Sequence, residues 1–479
     1  MASLTTTPMT GRRRLTQSEL DMMMAAHERF LSGKPGGKRA ALRFLNLTGL
    51  DFSGRNLADA DLSASILDGA RMIRTRLDRA NLFGSDLRKA NLTQASLVRA
   101  DLRGACLRGA NLTQADMTQA DFREGQIAIP HPQKGLNILR QEPRIGSADE
   151  ANFTGATLDG SKFQGASAYA ADFTDCSLKG AVLTGANLKD ANLTGADLAG
   201  ASISNCNLEG ADLSGAVLSG VDTASAKMSG AKLIGVLTNP TREALTAAVA
   251  ALEKLKANQV WCETGGKEGT PARLEGVDLR PLGEAMKGMR LTAMHAKGAC
   301  LVGMNLAGAH LQGANLEGAD LRGVNLQRAD LRGAKLVGAN MTKADLRGAA
   351  VGVLPLGPGR ENPATLNLAR LRYAHAQAAD LTCAILDGAD LRGASLRGTY
   401  LIGAVLRGAD LRATDLRGAR LVAAQPFRIF DEEFDKEVML LSESQLAALQ
   451  IDADISGARA DSGTLWPDGY IPPDSMVME

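Results

Sequence analysis

From Leu47 onward a large apolar residue returns at every fifth position: Leu47, Phe52, Leu57, Leu62, Leu67, Met72 and on to Phe122. Three further runs keep the same spacing, from Phe153 to Leu233, from Leu291 to Val351 and from Leu366 to Leu421. Within these runs only Ala168, Thr223, Ala296 and Ala376 fall short of a large apolar side chain. A small residue commonly stands two places before the centre, as at Ala100, Ala105 and Ala110. Asp or Asn often stands one place before it, as at Asp101 and Asn111, and Gly often follows two places after. A period of five fits neither a 3.6-residue helix nor a two-residue strand alternation. It predicts segments that each turn one large and one small side chain inward and then bend. Four such segments make a 20-residue coil, and coils stack through backbone hydrogen bonds at about 4.8 Å. Only the two ends of such a stack keep unpaired backbone.

Blocks such as Ala-Asn-Leu-Glu-Gly (314–318), Ala-Asp-Leu-Arg-Gly (319–323) and Ala-Asn-Leu-Thr-Gly (191–195) resemble the pentapeptide repeat family. The resemblance spans about three fifths of the chain. It implies an all-β solenoid of the right-handed quadrilateral β-helix type. It says little about function. The best-known members bind DNA gyrase by mimicking duplex DNA and protect it from quinolones.

The repeats are interrupted in a way that suggests one module used twice. Residues 16–31 carry Leu20, Met23, Met24, His27, Phe30 and Leu31 at helical spacing, opened by a Thr16–Glu19 capping box. Residues 240–257 carry Leu245, Ala248, Val249, Leu252 and Leu255, with Asn239 expected as cap and Pro240 at the first helical position. An aromatic residue and a Gly-rich link follow each: Phe30 with Gly36-Gly37-Lys38, and Trp261 with Gly265-Gly266-Lys267. Each copy also has a proline-bearing insertion, containing Ile127, Ile129 and Pro130 in one and Val353, Leu354 and Pro355 in the other. The first insertion shifts the five-residue register and the second keeps it; both are expected to bulge from the shaft as loops. The expected organisation is an N-terminal tail and capping helix (1–38), a first β-helix (39–235, insertion 123–151), a linker with a helix (236–290), a second β-helix (291–424, insertion 352–365) and an acidic cap or tail (425–479). The fold class is therefore two tandem right-handed quadrilateral β-helices with short capping helices, which would cover the open solenoid ends.

Little of the sequence offers chemistry. The Gly-rich links lack the Gly-x-x-x-x-Gly-Lys-Ser/Thr spacing of a phosphate loop and follow helices rather than strands. The five histidines have no zinc-ligand spacing. His295, His310 and His375 precede repeat centres and should face solvent, whereas His27 lies on an apolar helix face and should pack in the core. Cys176 and Cys206 take the small inward position; Cys106 and Cys300 should point outward. Asp61, Asn81, Asp101 and Asp121 are 20 apart and should stack, but short polar side chains at that place suit turns by bonding local backbone. No catalytic residue, metal or cofactor is expected.

Charge then narrows the partners. The chain of 479 residues has a formal net charge of +1. Residues 39–125, 291–351 and 366–424 each sum to +3, 151–235 to −3, and 425–479 to −9. A DNA mimic needs a strongly acidic shaft, so gyrase-type modulation is the alternative rather than the main reading, and nucleic acid is disfavoured. Arg372, Arg392 and Arg412 are 20 apart and should form a column, with Arg397 and Arg417 in a neighbouring one. A self-neutralised face is the simpler reading, because Asp390 and Asp410 lie two residues before their arginines. Together with the insertion residues these arginines are the candidate interaction sites. In the tail, Ser442 to Leu446 carry a short helix signal after an apolar patch at Met439-Leu440-Leu441, and Trp466 to Glu479 read as flexible. No run of 18 apolar residues occurs, and the Arg12-Arg13-Arg14 cluster is followed by polar residues, so neither a membrane span nor a signal peptide is expected. Six scattered cysteines fit a reducing, cytoplasmic setting. The sequence points to a non-enzymatic scaffold that binds an unidentified protein partner or a second copy of itself.

Overall fold

The computed structural model describes residues 12–131, 135–357, 360–421, 428–431, 436–439, 453–467, 471–473 and 475–478, with side chains outside 127–143 and 428–439. The chain divides into two compact units, Met1–Asn239 and Pro240–Glu479.

Each unit is built from the five-residue segment. The centre lies inward, and the residue before it forms a parallel bridge with the residue 20 further on, as in Asp61 with Asn81 and Asn81 with Asp101. In each such rung one amide donates up the stack and one down it. Leu62 donates to the Asn81 carbonyl at 2.8 Å, and Asn81 donates to the Ala60 carbonyl at 2.9 Å. The bend is closed locally by a bond from the Ser65 amide to the Leu62 carbonyl at 3.2 Å. Two residues after the centre the backbone enters the left-handed region, where glycine is free of strain, as at Gly104 (φ 65°). Asp or Asn before the centre is explained by the same bend: Asp61 Oδ1 accepts the Ser63 amide at 3.1 Å. The column of Asp61, Asn81, Asp101 and Asp121 is thus a row of satisfied turns.

Inside unit 1 the core runs from Leu15 to Leu218. It contains two aromatic pairs, Phe122 tilted against Phe163 (5.1 Å between ring centres) and Phe153 stacked on Phe173 (4.7 Å, nearly parallel). The last turn is open by comparison, with Leu233 and Ile234 exposed by 48% and 77%. The core of unit 2 runs from Ala251 to Met476.

Helix α1 (Gln17–Leu31) begins at Thr16 with the expected capping box. Leu20, Met24 and His27 are buried, and His27 is fully enclosed. Its Nε2 donates to the Ala58 carbonyl at 3.0 Å and its Nδ1 accepts the Ala40 amide at 3.1 Å, which requires the neutral ring. Helix α2 (Arg242–Glu263) differs from expectation. Its N-cap is Thr241, whose hydroxyl accepts the Ala244 amide, while Asn239 is engaged with the Gly220 amide at 2.6 Å and Pro240 lies outside the helix. Its buried stripe is Ala248, Ala251, Leu255 and Asn258; Leu245 and Val249 are exposed. Asn258 does for α2 what His27 does for α1: Oδ1 accepts the Ala272 amide at 2.9 Å and Nδ2 donates to the Thr292 carbonyl at 3.1 Å. The glycine needed in each link is the one beneath the helix end. A Cβ on Gly37 would overlap the Phe30 backbone, and one on Gly269 the Ala257 carbonyl.

The interruptions are hairpins, not irregular loops. In unit 1, β1 (Gly125–His131) pairs antiparallel with β2 (Gly135–Arg144). Cys106 bridges Ser147 across it, and the core resumes at Ala148, one segment before Phe153. Ala148 was hidden because it is small at a position that elsewhere is large. In unit 2, β3 (Val353–Gly357) pairs with β4 (Arg360–Pro363), and Lys335 bridges Thr365. The coil of unit 2 also begins earlier than Leu291. Arg273 bridges His295 and Asp278 bridges Cys300, and a 3-10 turn at Arg280–Leu282 breaks the count of five. A third hairpin, β5 (Arg428–Asp431) with β6 (Lys436–Met439), lies in the tail. The tail is not only a cap or a flexible end. Asp454, Arg459 and Leu465 return to the ladder, bridging Asp410, Asp415 and Arg420. Strand β7 (Arg459–Ala460) then pairs in parallel with β8 (Val477–Met478). Leu440, Leu441 and the helix signal at 442–446 lie outside the described residues.

Two outcomes follow from this packing. Phe153→Ala removes one ring of a buried stack and should cost about 3–5 kcal/mol, read as a lowered midpoint in denaturant unfolding. Burial holds His27 below the usual imidazole pKa, against the Ala58 carbonyl, which raises it. Its contribution is therefore complete above about pH 6.5 and lost as pH falls below that value. Amide-exchange protection of residues 17–31 should weaken over that range, while α2, held by Asn258, should not respond.

Candidate functional site

The predicted arginine column exists, and it is zipped. Arg392 donates to Asp390 through Nε and Nη2 at 2.9 and 2.7 Å, and Arg412 grips Asp410 in the same way at 2.9 and 2.6 Å. Each carboxylate also meets the arginine of a neighbouring coil. Arg372 Nε lies 3.5 Å from Asp390, Arg392 Nε 3.4 Å from Asp410, and Arg412 Nε 3.4 Å from Asp454. The result is one alternating ladder, Arg372–Asp390–Arg392–Asp410–Arg412–Asp454. The five-residue bend produces it, because it puts the residues before and after a centre side by side on the outer surface, and the 20-residue coil stacks these pairs.

The neighbouring column splits. Arg417 grips Asp415 at 2.7 Å, and Arg459 approaches the same carboxylate at 3.4 Å. Burial pushes the Asp415 carboxyl up, but the bond from Arg417 and the Arg459 charge together hold it below the usual carboxylate range. Arg397 is exposed and makes no ion pair among the described residues. Asp454 and Arg459 complete both columns and were not singled out from sequence. The signal was present: Ala453-Asp454-Ile455-Ser456-Gly457 is a regular segment, isolated by the preceding insertion.

The insertion residues form a second, separate group. Val353 is buried, Leu354 and Pro355 are half-buried, and Leu356 at the hairpin end is 53% exposed. Asn362 anchors β4 to the coil beneath by donating to the Gly333 carbonyl at 3.0 Å. Ile127, Ile129 and Pro130 lie on β1, and their side chains are outside the described residues. At the base of that hairpin Gly125 sits against the Phe83 ring, over which Arg103 stacks at 5.5 Å.

Cys176 and Cys206 are buried at the small inward position, and burial raises the Cys206 thiol to about 12. All six cysteines are free. Among the described residues no group of three or more His, Cys, Asp or Glu could hold a metal ion. No helix among them is long and apolar enough to cross a membrane.

A family model described as pentapeptide repeats matches residues 38–126, 147–237, 295–350 and 364–422. No curated protein matches the chain. Among solved structures, similarity is found to a pentapeptide repeat protein (Rfr23) from the cyanobacterium Cyanothece 51142, at 26% identity over 29% of this chain and 91% of that one, with a TM-score of 0.21. HetL, a pentapeptide repeat protein involved in heterocyst differentiation regulation from Nostoc, is similar at 26% identity over 70% of this chain and 88% of that one, with a TM-score of 0.12. QnrB1, a plasmid-mediated fluoroquinolone resistance protein, is similar at 18% identity over 44% of this chain and 92% of that one, with a TM-score of 0.20.

The Asp415 site yields a stability prediction. Asp415→Asn leaves Arg417 and Arg459 facing each other with their shared charge removed, and should cost about 1–3 kcal/mol at neutral pH. Because the folded pKa lies below the unfolded one, the difference from the parent should shrink as acid protonates the native carboxylate, in thermal unfolding followed from neutral pH to below about 3.9.

Proposed function

The chain belongs to the pentapeptide repeat family, a family of right-handed β-helix-type solenoids, and on that footing we propose that it is a non-enzymatic scaffold that binds a protein partner. The observation that carries this reading is the contrast between shaft and hairpin. Along the ladder from Arg372 to Asp454 the charges of the shaft are answered by their own neighbours. At the hairpin of unit 2 an apolar residue, Leu356, is left exposed on β3, whose partner strand β4 is anchored to the coil through Asn362. Such a surface loses little conformational freedom on binding, and loops on rigid scaffolds are where recognition concentrates.

We assign α1 and α2 to capping. Each lies at the N-terminal end of its coil and answers one free backbone donor and one free acceptor there, through His27 or Asn258. The arrangement of helix, coils, hairpin and further coils then occurs in tandem. Modulation of a DNA-processing enzyme through DNA mimicry is the weaker reading, because the ion-paired columns neutralise the acidic groups that mimicry would need to display.

The test is capture of the tagged full chain from its native host with chemical crosslinking. One stoichiometric protein, crosslinked near 353–363 and lost when that hairpin is replaced by a short Gly-Ser link, is the expected result. Retention of the partner after replacement, with circular dichroism unchanged, would remove the hairpin from the mechanism. Recovery of a DNA enzyme through the shaft would favour mimicry, and recovery of only the chain itself would indicate self-association.

A further inference from the structure

A cavity of about 210 Å³ lies at the root of β3 in unit 2, between the coil below the hairpin and the coil above it. It opens where the column lacks a polar side chain at Ala350. Asp330, Ala350 and Asp380 follow one another up a single column. In most of the shaft such a column carries a polar residue at each level, and the residue two places on supplies its partner. Here the middle level has Ala350 and Gly352. At the equivalent level of unit 1, below the first hairpin's return, Asp121 and Arg123 fill the place and pair at 2.7 Å. Even Gly352 has no latitude, since a Cβ there would run into the Thr382 carbonyl.

The polar groups around this space are unevenly matched. Arg332 and Asp330 satisfy each other, with contacts of 2.7 to 3.2 Å. Arg328 makes no ion pair among the described residues, and neither does Asp380, whose Oδ1 accepts only the Thr382 amide at 2.9 Å. Thr382 is 1% exposed, and its hydroxyl has no hydrogen-bond partner among the described residues. That is a departure. Threonines at the same place in other segments donate to the polar residue before the centre, as Thr118 does to Asp116 at 2.6 Å and Thr342 to Asn340 at 2.8 Å. A buried hydroxyl without a partner is costly. The remaining wall is apolar, from Val353, Pro355 and Ala350.

We propose that this cavity binds a small zwitterion of the α-amino acid class with an apolar side chain. The ligand carboxylate would pair with Arg328, its ammonium would pair with Asp380, and its side chain would lie against Val353 and Pro355. A simple anion would be repelled by Asp380 and a simple cation by Arg328; only a ligand with both charges answers both groups. The volume leaves room for more than a single water, which suits such a molecule. The site does not depend on the scaffold reading, although β3 forms one wall.

Titration calorimetry on the full chain tests it, with glycine, alanine, valine and leucine as probes and acetate, propionate and methylammonium as single-charge controls. At least one amino acid should bind saturably, one per chain, and at least ten-fold tighter than every control. Arg328→Gln and Asp380→Asn should each weaken binding ten-fold or more with unchanged thermal unfolding. Ala350→Leu, which fills the space without altering a charge, should abolish it. Absence of saturable heat with all four amino acids would overturn the proposal, as would a control binding equally well or full affinity in Arg328→Gln.

Discussion

Coil-to-coil hydrogen bonding is the constraint from which the rest of this molecule follows. A residue in one coil must meet the residue 20 further on, and each rung fixes both which side chains go inside and which stand together outside. The inward Leu column, the row of Asp and Asn turns, and the alternating ladder from Arg372 to Asp454 are three consequences of the same spacing. Interruptions are tolerated at corners because the chain can leave there and return to the same rung. The first hairpin takes Cys106 to Ser147 and the third takes Asp410 to Asp454 without disturbing the stack on either side.

Most of the coil was legible from sequence because the information repeats. A position that is apolar every five residues is read many times over, and isolated exceptions such as Ala168 do not obscure it. Legibility failed where the signal occurred once. Ala148 and the segment at 453–457 are single units cut off from their neighbours by an insertion, and the turn at Arg280–Leu282 breaks the count before it is established. Helix α2 misled for another reason. Its apolar residues are spread around the helix, so the sequence alone does not say that the stripe through Ala248 and Leu255, rather than Leu245 and Val249, is buried.

The candidate sites were legible by place but not by state. Columns of arginine were expected, and so was their neutralisation by Asp two residues earlier. What the sequence could not show was that each carboxylate is also shared with the next coil, since that needs the lateral reach of the side chains. The cavity beside Thr382 is the opposite case. It comes from an absence, Ala350 where unit 1 has Asp121, and an absence is visible only when the sequences of the two units are compared level by level. His27 and Asn258 show the same divergence at the helix ends: one geometric task, performed by one group that can be protonated in acid, below the usual imidazole range, and one that cannot.

The left-handed corner residue has a meaning beyond the turn itself. Where glycine occupies it, the corner is relaxed; where another residue does, the chain holds roughly 1 kcal/mol or more of backbone strain. Arg79, Lys89, Arg99, Arg328, Lys343 and Cys383 are among these residues. Glycine would be easier at every one of them, so each marks a place where a side chain is kept at the expense of comfort. The strained corners therefore form a second pattern laid over the repeat, one that records where the outside of the solenoid differs from a bare rod, and Arg328 is one of its points.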